Sequence, residues 1–220
     1  MESGKHNHHH ELGHHHSGDV EALGSAFLLN LIFTLIEIAG GFWTNSVAIL
    51  ADALHDAGDS LGLLLAWYLQ KASGKERDQR FSYGYGRLSL LAALINGVVL
   101  LAGSIVVIVH VIPRLFEPQI VDATGMLWLA MLGIAFNGFA FWRNRSSQSL
   151  NAKMVNWHLL EDVLGWTVVL GGSIVMHFGD YPWLDPLMAL GVTLFILWNV
   201  IKSLGRVIKI FLQSNPEGVD

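Results

Sequence analysis

The chain has 220 residues, 52% of them hydrophobic and only 14% charged, with a mean hydropathy of +0.45. A soluble domain of this size carries about a quarter charged residues, so the composition argues against a water-soluble globule. The absence of cysteine excludes a disulfide scaffold, a thiolate zinc finger and a thiol nucleophile, and a net charge of −5 leaves no basic footprint for nucleic acid.

The first segment, residues 1–21, is polar and lacks the charged-then-apolar design of a cleavable signal. It holds seven of the eleven histidines: His6, His8, His9, His10, His14, His15 and His16. The reading is a disordered cytoplasmic tail that captures metal weakly, since clustered imidazoles are metal-prone. Six apolar stretches follow, at Leu23–Trp43, Val47–Gln70, Leu88–Ile112, Ala123–Trp142, Val155–Phe178 and Trp183–Phe211. A bilayer core needs about 20 residues of helix, which each supplies. They predict an all-α membrane protein with a six-helix transmembrane domain over residues 22–212 and a short C-terminal tail over 213–220. Short punctuation separates them, including Thr44-Asn45-Ser46, Pro113–Asp122 and Gly179–Pro182. Lys and Arg stay on the cytoplasmic side. With both termini inside, every basic residue except Arg114 falls on that side.

Ionisable groups at a helix centre cost about 2.5–3.5 kcal/mol each on insertion scales, so their presence needs a reason. The second span holds Asp52, His55, Asp56 and Asp59; the fifth holds His158, Glu161 and Asp162; the first holds Glu37. His55 and Asp59 are i and i+4 on one helix face, and His158 and Asp162 repeat that HxxxD spacing. Facing one another, the two pairs would offer two imidazole nitrogens and two carboxylate oxygens, a tetrahedral set suited to Zn²⁺. The competing reading, an intrahelical His–Asp hydrogen bond that only glues the bundle, does not account for the spacing occurring twice. Asp52 shares the face of His55 and reads as a supporting group or a step on the ion route. Asp56 is offset and faces a cavity or another helix, and Glu161 points off the ligand face. Asn30, Thr34 and Glu37 form an i, i+4, i+7 stripe that either bonds the bundle or lines an access cavity. Asn96 and Asn137 read as packing groups and His110 and His177 as interfacial. Asp185-Pro186 reads as an N-cap with Pro at the first position of the sixth helix.

These residues resemble the cation diffusion facilitators. The likeness lies in Ser46-Val47-Ala48-Ile49-Leu50-Ala51-Asp52-Ala53-Leu54-His55 through Asp59, in Arg80-Phe81-Ser82-Tyr83-Gly84-Tyr85-Gly86-Arg87, in His158-Leu159-Leu160-Glu161-Asp162 and in Leu184-Asp185-Pro186. It extends over about residues 22 to 216. The resemblance implies a homodimeric metal/proton antiporter with His55, Asp59, His158 and Asp162 as its transport site. The two-His, two-Asp version looks like the zinc-selective one, and an Asp in place of the first His goes with wider cadmium acceptance. Family members usually continue past the sixth helix into a cytoplasmic domain, whereas this chain stops at Asp220. The expectation is therefore a form lacking that domain, with a dimer resting on membrane contacts.

The sequence thus predicts a transporter and not an enzyme, exporting zinc from the cytoplasm of a bacterium across its inner membrane in exchange for protons. Zn²⁺ is substrate and not cofactor, with Cd²⁺, Co²⁺, Ni²⁺ or Fe²⁺ as further candidates, and no nucleic acid is a partner. Two other readings carry less of the pattern. A zinc-dependent intramembrane hydrolase lacks an HExxH motif, because Glu161 sits three residues after His158. A metal-stabilised bundle or sensor predicts that the four ligands serve stability alone.

Overall fold

The computed structural model of the protein describes residues 15–73, 87–145 and 150–212. They form six helices and, among the described residues, no strand: α1 (His15–Thr44), α2 (Val47–Ser73), α3 (Arg87–Phe116), α4 (Ala123–Asn144), α5 (Leu150–Phe178) and α6 (Leu184–Phe211). Each helix coincides with one of the six expected spans. Helix α1 packs on α2, α4 on α5, and α3 on both α2 and α6, while α2 and α5 meet over only a short stretch.

Three boundaries differ from the sequence reading. Helix α1 starts at His15, inside the segment expected to be a disordered tail. No proline interrupts residues 15–22, so the helix propagates outward from its apolar part at one hydrogen bond per residue. Helix α3 runs through Pro113 to Phe116. A proline one turn from the end deprives the helix of a single bond, and Glu117 N–H donating to the Pro113 carbonyl at 2.9 Å closes the last turn. The third concerns Asp185, which does not cap its own helix. Helix α6 begins at Leu184 after Trp183, which makes no side-chain cap. The Asp185 carboxylate instead reaches α2, accepting from Ser46 Oγ at 2.5 Å, Val47 N–H at 2.8 Å and Ala48 N–H at 3.2 Å. Ser46 Oγ in turn accepts from Ile49 N–H at 3.2 Å. The first turn of α2 has donors with no partner of its own, and a buried carboxylate from α6 satisfies them.

Thr44-Asn45-Ser46 makes the tight turn between α1 and α2. Ser46 N–H donates to the Gly41 carbonyl at 3.0 Å and Asn45 N–H to Phe42 at 3.3 Å, the two bonds of a Schellman motif. Asn45 takes the left-handed position with φ 56°, which asparagine tolerates better than other non-glycine residues. It also ties the turn to the α3–α4 connection. Arg114 donates to the Asn45 carbonyl at 2.9 Å and to Asn45 Oδ1 at 3.1 Å, while Asn45 Nδ2 donates to the Ile120 carbonyl at 3.0 Å.

The bundle is inverted in polarity relative to a soluble protein. Phe42, Trp43, Trp128, Trp142 and Trp198 are exposed, whereas Thr34, Glu37, Asp52, Asp56, Ser60, Asn137 and Asp162 are buried. Five helices contain a stretch long and apolar enough to cross a bilayer: Phe27–Thr44, Leu90–Phe116, Ala123–Arg143, Asn156–Phe178 and Leu184–Ile210. Helix α2 is the exception because it carries Asp52, Asp56 and Asp59. Helices α1, α3 and α6 shelter it on several sides. The main apolar cluster gathers Phe33, Val47–Ile49, Val111, Met126, Ala130, Trp166, Val169 and Met188. These come from the middle of α1, the start of α2, the end of α3, the start of α4, the latter half of α5 and the start of α6, so most of them pack toward one end of the bundle.

Two outcomes follow from this packing. Asp185→Ala leaves up to three donors at the head of α2 unsatisfied, at about 1–3 kcal/mol for each that stays buried. Its unfolding midpoint in detergent should fall well below that of the wild type, with Asp185→Asn between them. On α4, a Cβ at Gly133 would lie 2.3 Å from the Trp166 ring, while at Gly138 it meets nothing within 4 Å. Gly133→Ala should therefore lose about 1–3 kcal/mol through overpacking and Gly138→Ala essentially nothing, read in the same thermal assay.

Candidate metal site

Helices α2 and α5 run in opposite directions, and an HxxxD pair sits the same number of residues from the start of each. His55 is eight residues into α2 and His158 eight into α5, placing both pairs about 12–18 Å from their helix starts, near mid-bundle. Where the two helices meet, three of the four expected ligands converge. His55 Nε2 is 3.4 Å from Asp59 Oδ2, and His158 Nε2 is 3.3 Å from the same oxygen. Asp162 Oδ2 lies 3.7 Å from His158 Nε2. The two imidazoles stand edge to face with centroids 6.1 Å apart. His55, Asp59 and His158 each present a ligand atom within 4.8 Å of the others. Asp162 meets the same condition in a second set with His55 and Asp56.

The site borders a cavity of about 730 Å³ walled by α2, α5 and α6 and touched by Leu100 of α3. Asp52, His55, Asp59, His158, Glu161 and Asp162 all line it. Asp59 and His158 keep 19% and 32% of their side-chain surface accessible, against 7% for Asp162, so an ion can reach the first pair from the cavity. Along α6 the lining extends from Leu187 and Met188 to Asn199 and Ser203. Asn199 and Ser203, an i, i+4 pair on α6, do not stand out in the sequence because neither side chain is ionisable.

The remaining polar residues divide by their surroundings. Glu161 is exposed into the cavity, while Asp52 is buried at its wall. Asp56 and Glu37 lie behind the site, between α1 and α2, and Glu37 is buried with no hydrogen-bond donor on either oxygen. Asn30 bonds the bundle, donating to the Asp56 carbonyl at 3.1 Å and to Ser60 Oγ at 3.0 Å, and Thr34 donates back to the Asn30 carbonyl at 2.8 Å. The polar stripe of α1 is thus packing at Asn30 and Thr34, while Glu37 has no donor of its own. Asn96 sits against Gly62 as a packing group, although its Oδ1 and the Nδ2 of Asn137 make no hydrogen bond. His110 and His177 are exposed at the helix ends, with His177 Nδ1 3.3 Å from Thr124 Oγ1. His6, His8, His9, His10 and His14 lie outside the described residues, as does the Arg80–Gly86 motif.

Residues 24–212 match the cation efflux transmembrane domain family. Among similar proteins, a cadmium, cobalt and zinc/H⁺-K⁺ antiporter of Bacillus subtilis is 32% identical over 95% of this chain and 69% of its own length. The zinc transporter ZitB of Yersinia pseudotuberculosis is 31% identical over 89% of the chain and 64% of its length. The metal cation efflux system protein CzcD of Cupriavidus metallidurans is 30% identical over 94% and 67%. The chain thus spans about two thirds of the length of these relatives. With a match over nearly all its helical residues and a polar cluster held between apolar helices, the chain belongs to the cation efflux family, a multi-pass membrane transporter rather than an enzyme.

Proposed function

We propose that the protein is a Zn²⁺/H⁺ antiporter that exports zinc from the cytoplasm through His55, Asp59, His158 and Asp162. The observation that carries this reading is the spacing around Asp59 Oδ2, 3.4 Å from one imidazole nitrogen and 3.3 Å from the other. Those distances are long for hydrogen bonds. Two ligands each 2.0–2.1 Å from a tetrahedral zinc lie about 3.3–3.4 Å apart, so the spacing is that of a zinc polyhedron's edge. Imidazole nitrogens disfavour Mg²⁺ and Ca²⁺, which take all-oxygen shells, and leave Cd²⁺, Co²⁺, Ni²⁺ and Fe²⁺ as rivals to zinc. The names of the relatives, which include zinc, cadmium and cobalt, agree with that class.

The charge pattern supports cytoplasmic termini, because twelve of thirteen basic residues then lie inside. In that orientation the apolar cluster around Ile49, Met126 and Trp166 closes the outer end. The cavity runs along α6 from Leu187, near the outer end, to Ser203, near the inner end, with the site on its wall. Zinc enters from the cytoplasm and binds the deprotonated ligands, since metal and protons compete for the same lone pairs. When the bundle rocks to open the outer end, protons arriving down their gradient reload the histidines and carboxylates and release the ion. Histidine suits that exchange because its ordinary pKa lies near physiological pH. The reading includes a homodimer in a bacterial inner membrane, with the histidine-rich segment before α1 as a capture site for cytoplasmic metal.

Reconstituted in proteoliposomes, the wild type should move zinc only when a pH gradient is imposed. Asp162→Ala should reduce that flux at least on the order of a hundredfold by removing one metal ligand. Flux that survives either change would refute the reading. Removing the ligands should leave the fold intact: in metal-free buffer, His158→Ala should unfold within a few degrees of the wild type and lose only the stabilisation that added zinc confers. A large fall in its metal-free midpoint would mark the four residues as structural.

A further inference from the structure

Behind the zinc position lies a second group of ligand atoms that overlaps the first tetrahedron and extends beyond it. His55, Asp56 and Asp162 each present a ligand atom within 4.8 Å of the others. The carboxyl group of Glu37, on α1, lies within hydrogen-bonding reach of Asp56. Glu37 is 1% exposed and Asp56 3%, and neither Glu37 oxygen has a donor in the protein. The Asn30 amide beside them is turned elsewhere, to the Asp56 carbonyl and Ser60. His55 adds a second orphan. Its Nε2 faces Asp59, while its Nδ1 is buried without a partner. Two buried carboxyl groups in contact need a cation or a shared proton between them.

We propose that Glu37, Asp56, His55 and Asp162 form a second cation position, set between α1 and α2 behind the zinc tetrahedron. The inference rests on the transport reading above and adds a step to it. Because His55 and Asp162 belong to both sets, the ion passes between them by exchanging Asp59 and His158 for Asp56 and Glu37, without ever losing all its ligands. Both positions cannot be filled fully at once. Three carboxylates and one imidazole make the second position harder than the first, so it holds Zn²⁺ less tightly and is relatively more favourable to Co²⁺ or Fe²⁺.

Co²⁺ is the probe, bound to the full chain in nanodiscs with the seven N-terminal histidines replaced by glutamine in every sample. The background protein should bind one Co²⁺ per protomer with the visible spectrum of a four-coordinate site. Asp59→Asn combined with His158→Gln should still bind one Co²⁺, with an altered spectrum and a Kd raised on the order of 10–100-fold. Adding Glu37→Gln or Asp56→Asn should then abolish binding. No Co²⁺ in the Asp59→Asn/His158→Gln protein would overturn the proposal and leave the carboxyl pair holding a proton only, as would binding indifferent to Glu37→Gln. A background protein that binds no Co²⁺ would overturn the first site as well, which separates the two failures. Should the double variant fail to fold, Glu37→Gln alone decides. It should keep the Co²⁺ spectrum of the first position yet lower proton-driven zinc flux at least tenfold, and unchanged flux would refute the second position.

Discussion

The height of α2 in the bundle is fixed by one carboxylate. Asp185, at the head of α6, accepts hydrogen bonds from Ser46, Val47 and Ala48 at the head of α2. Backbone donors at a helix start are rigid, so a carboxylate gripping two successive N–H groups and the adjoining hydroxyl sets both the axial position and the rotation of the helix. His55 and Asp59 lie two and three turns further along that rigid rod. A slip of one residue would rotate them by about 100° and move them 1.5 Å, enough to take His55 away from His158. The neighbouring turn adds a second hold, since Arg114 grips Asn45 through both its carbonyl and its side chain. The geometry of the His–Asp cluster at mid-bundle is therefore set at the bundle's end.

The cost of burying charge explains why α2 is placed as it is. Alone among the six helices it fails to read as apolar enough to cross a membrane, and α1, α3 and α6 all pack against it. Other polar side chains avoid the problem locally: Thr34, Ser104, Thr167 and Thr193 each return a hydroxyl to a carbonyl one turn back in their own helix, so they demand nothing from a neighbour. Asp52, Asp56 and Asp59 have no such option, because a carboxylate needs donors or cations. Asp59 meets the His158 imidazole of α5, and Asp52 and Asp59 line the cavity, while Asp56 packs behind them against α1.

Much of this was legible in the sequence, and the exceptions share a cause. Apolar runs of spanning length marked all six helices, because the bilayer imposes a minimum length that sequence displays directly. The repeated HxxxD spacing marked four residues, of which His55, Asp59 and His158 lie within contact of one another and Asp162 lies 3.7 Å from His158. Partnerships between helices distant in sequence were not legible. Asp185 has every local feature of a cap for its own helix, yet its partner lies 139 positions away at Ser46. Asp56 and Glu37 looked like separate, ambiguous groups, since Asp56 is offset from the ligand face and Glu37 ends a polar stripe on another helix; only the packing of α1 on α2 brings them together. Pro113 suggested a boundary one turn too early because proline near a helix end removes little.

The two ends of the bundle differ in what holds them, and that difference bears on how access can alternate. One end is closed by interlocked side chains, with Trp166 over Gly133 and Met188 over Gly172, and by the polar ties of Asn45, Asp122 and Asp185. Between α2 and α5, by contrast, the contact is brief and runs largely through the His–Asp cluster. A packed apolar end resists continuous deformation, since interiors are dense and pay for voids, so opening there must proceed by helices moving as units. The α2–α5 seam is suited to letting them do so, because few apolar contacts are lost when it shifts. In the proposed transport cycle, a metal ion bound there strengthens its remaining contacts and protons weaken them. On that reading the ligand state of the cluster acts directly on an interface that, among the described residues, little else holds.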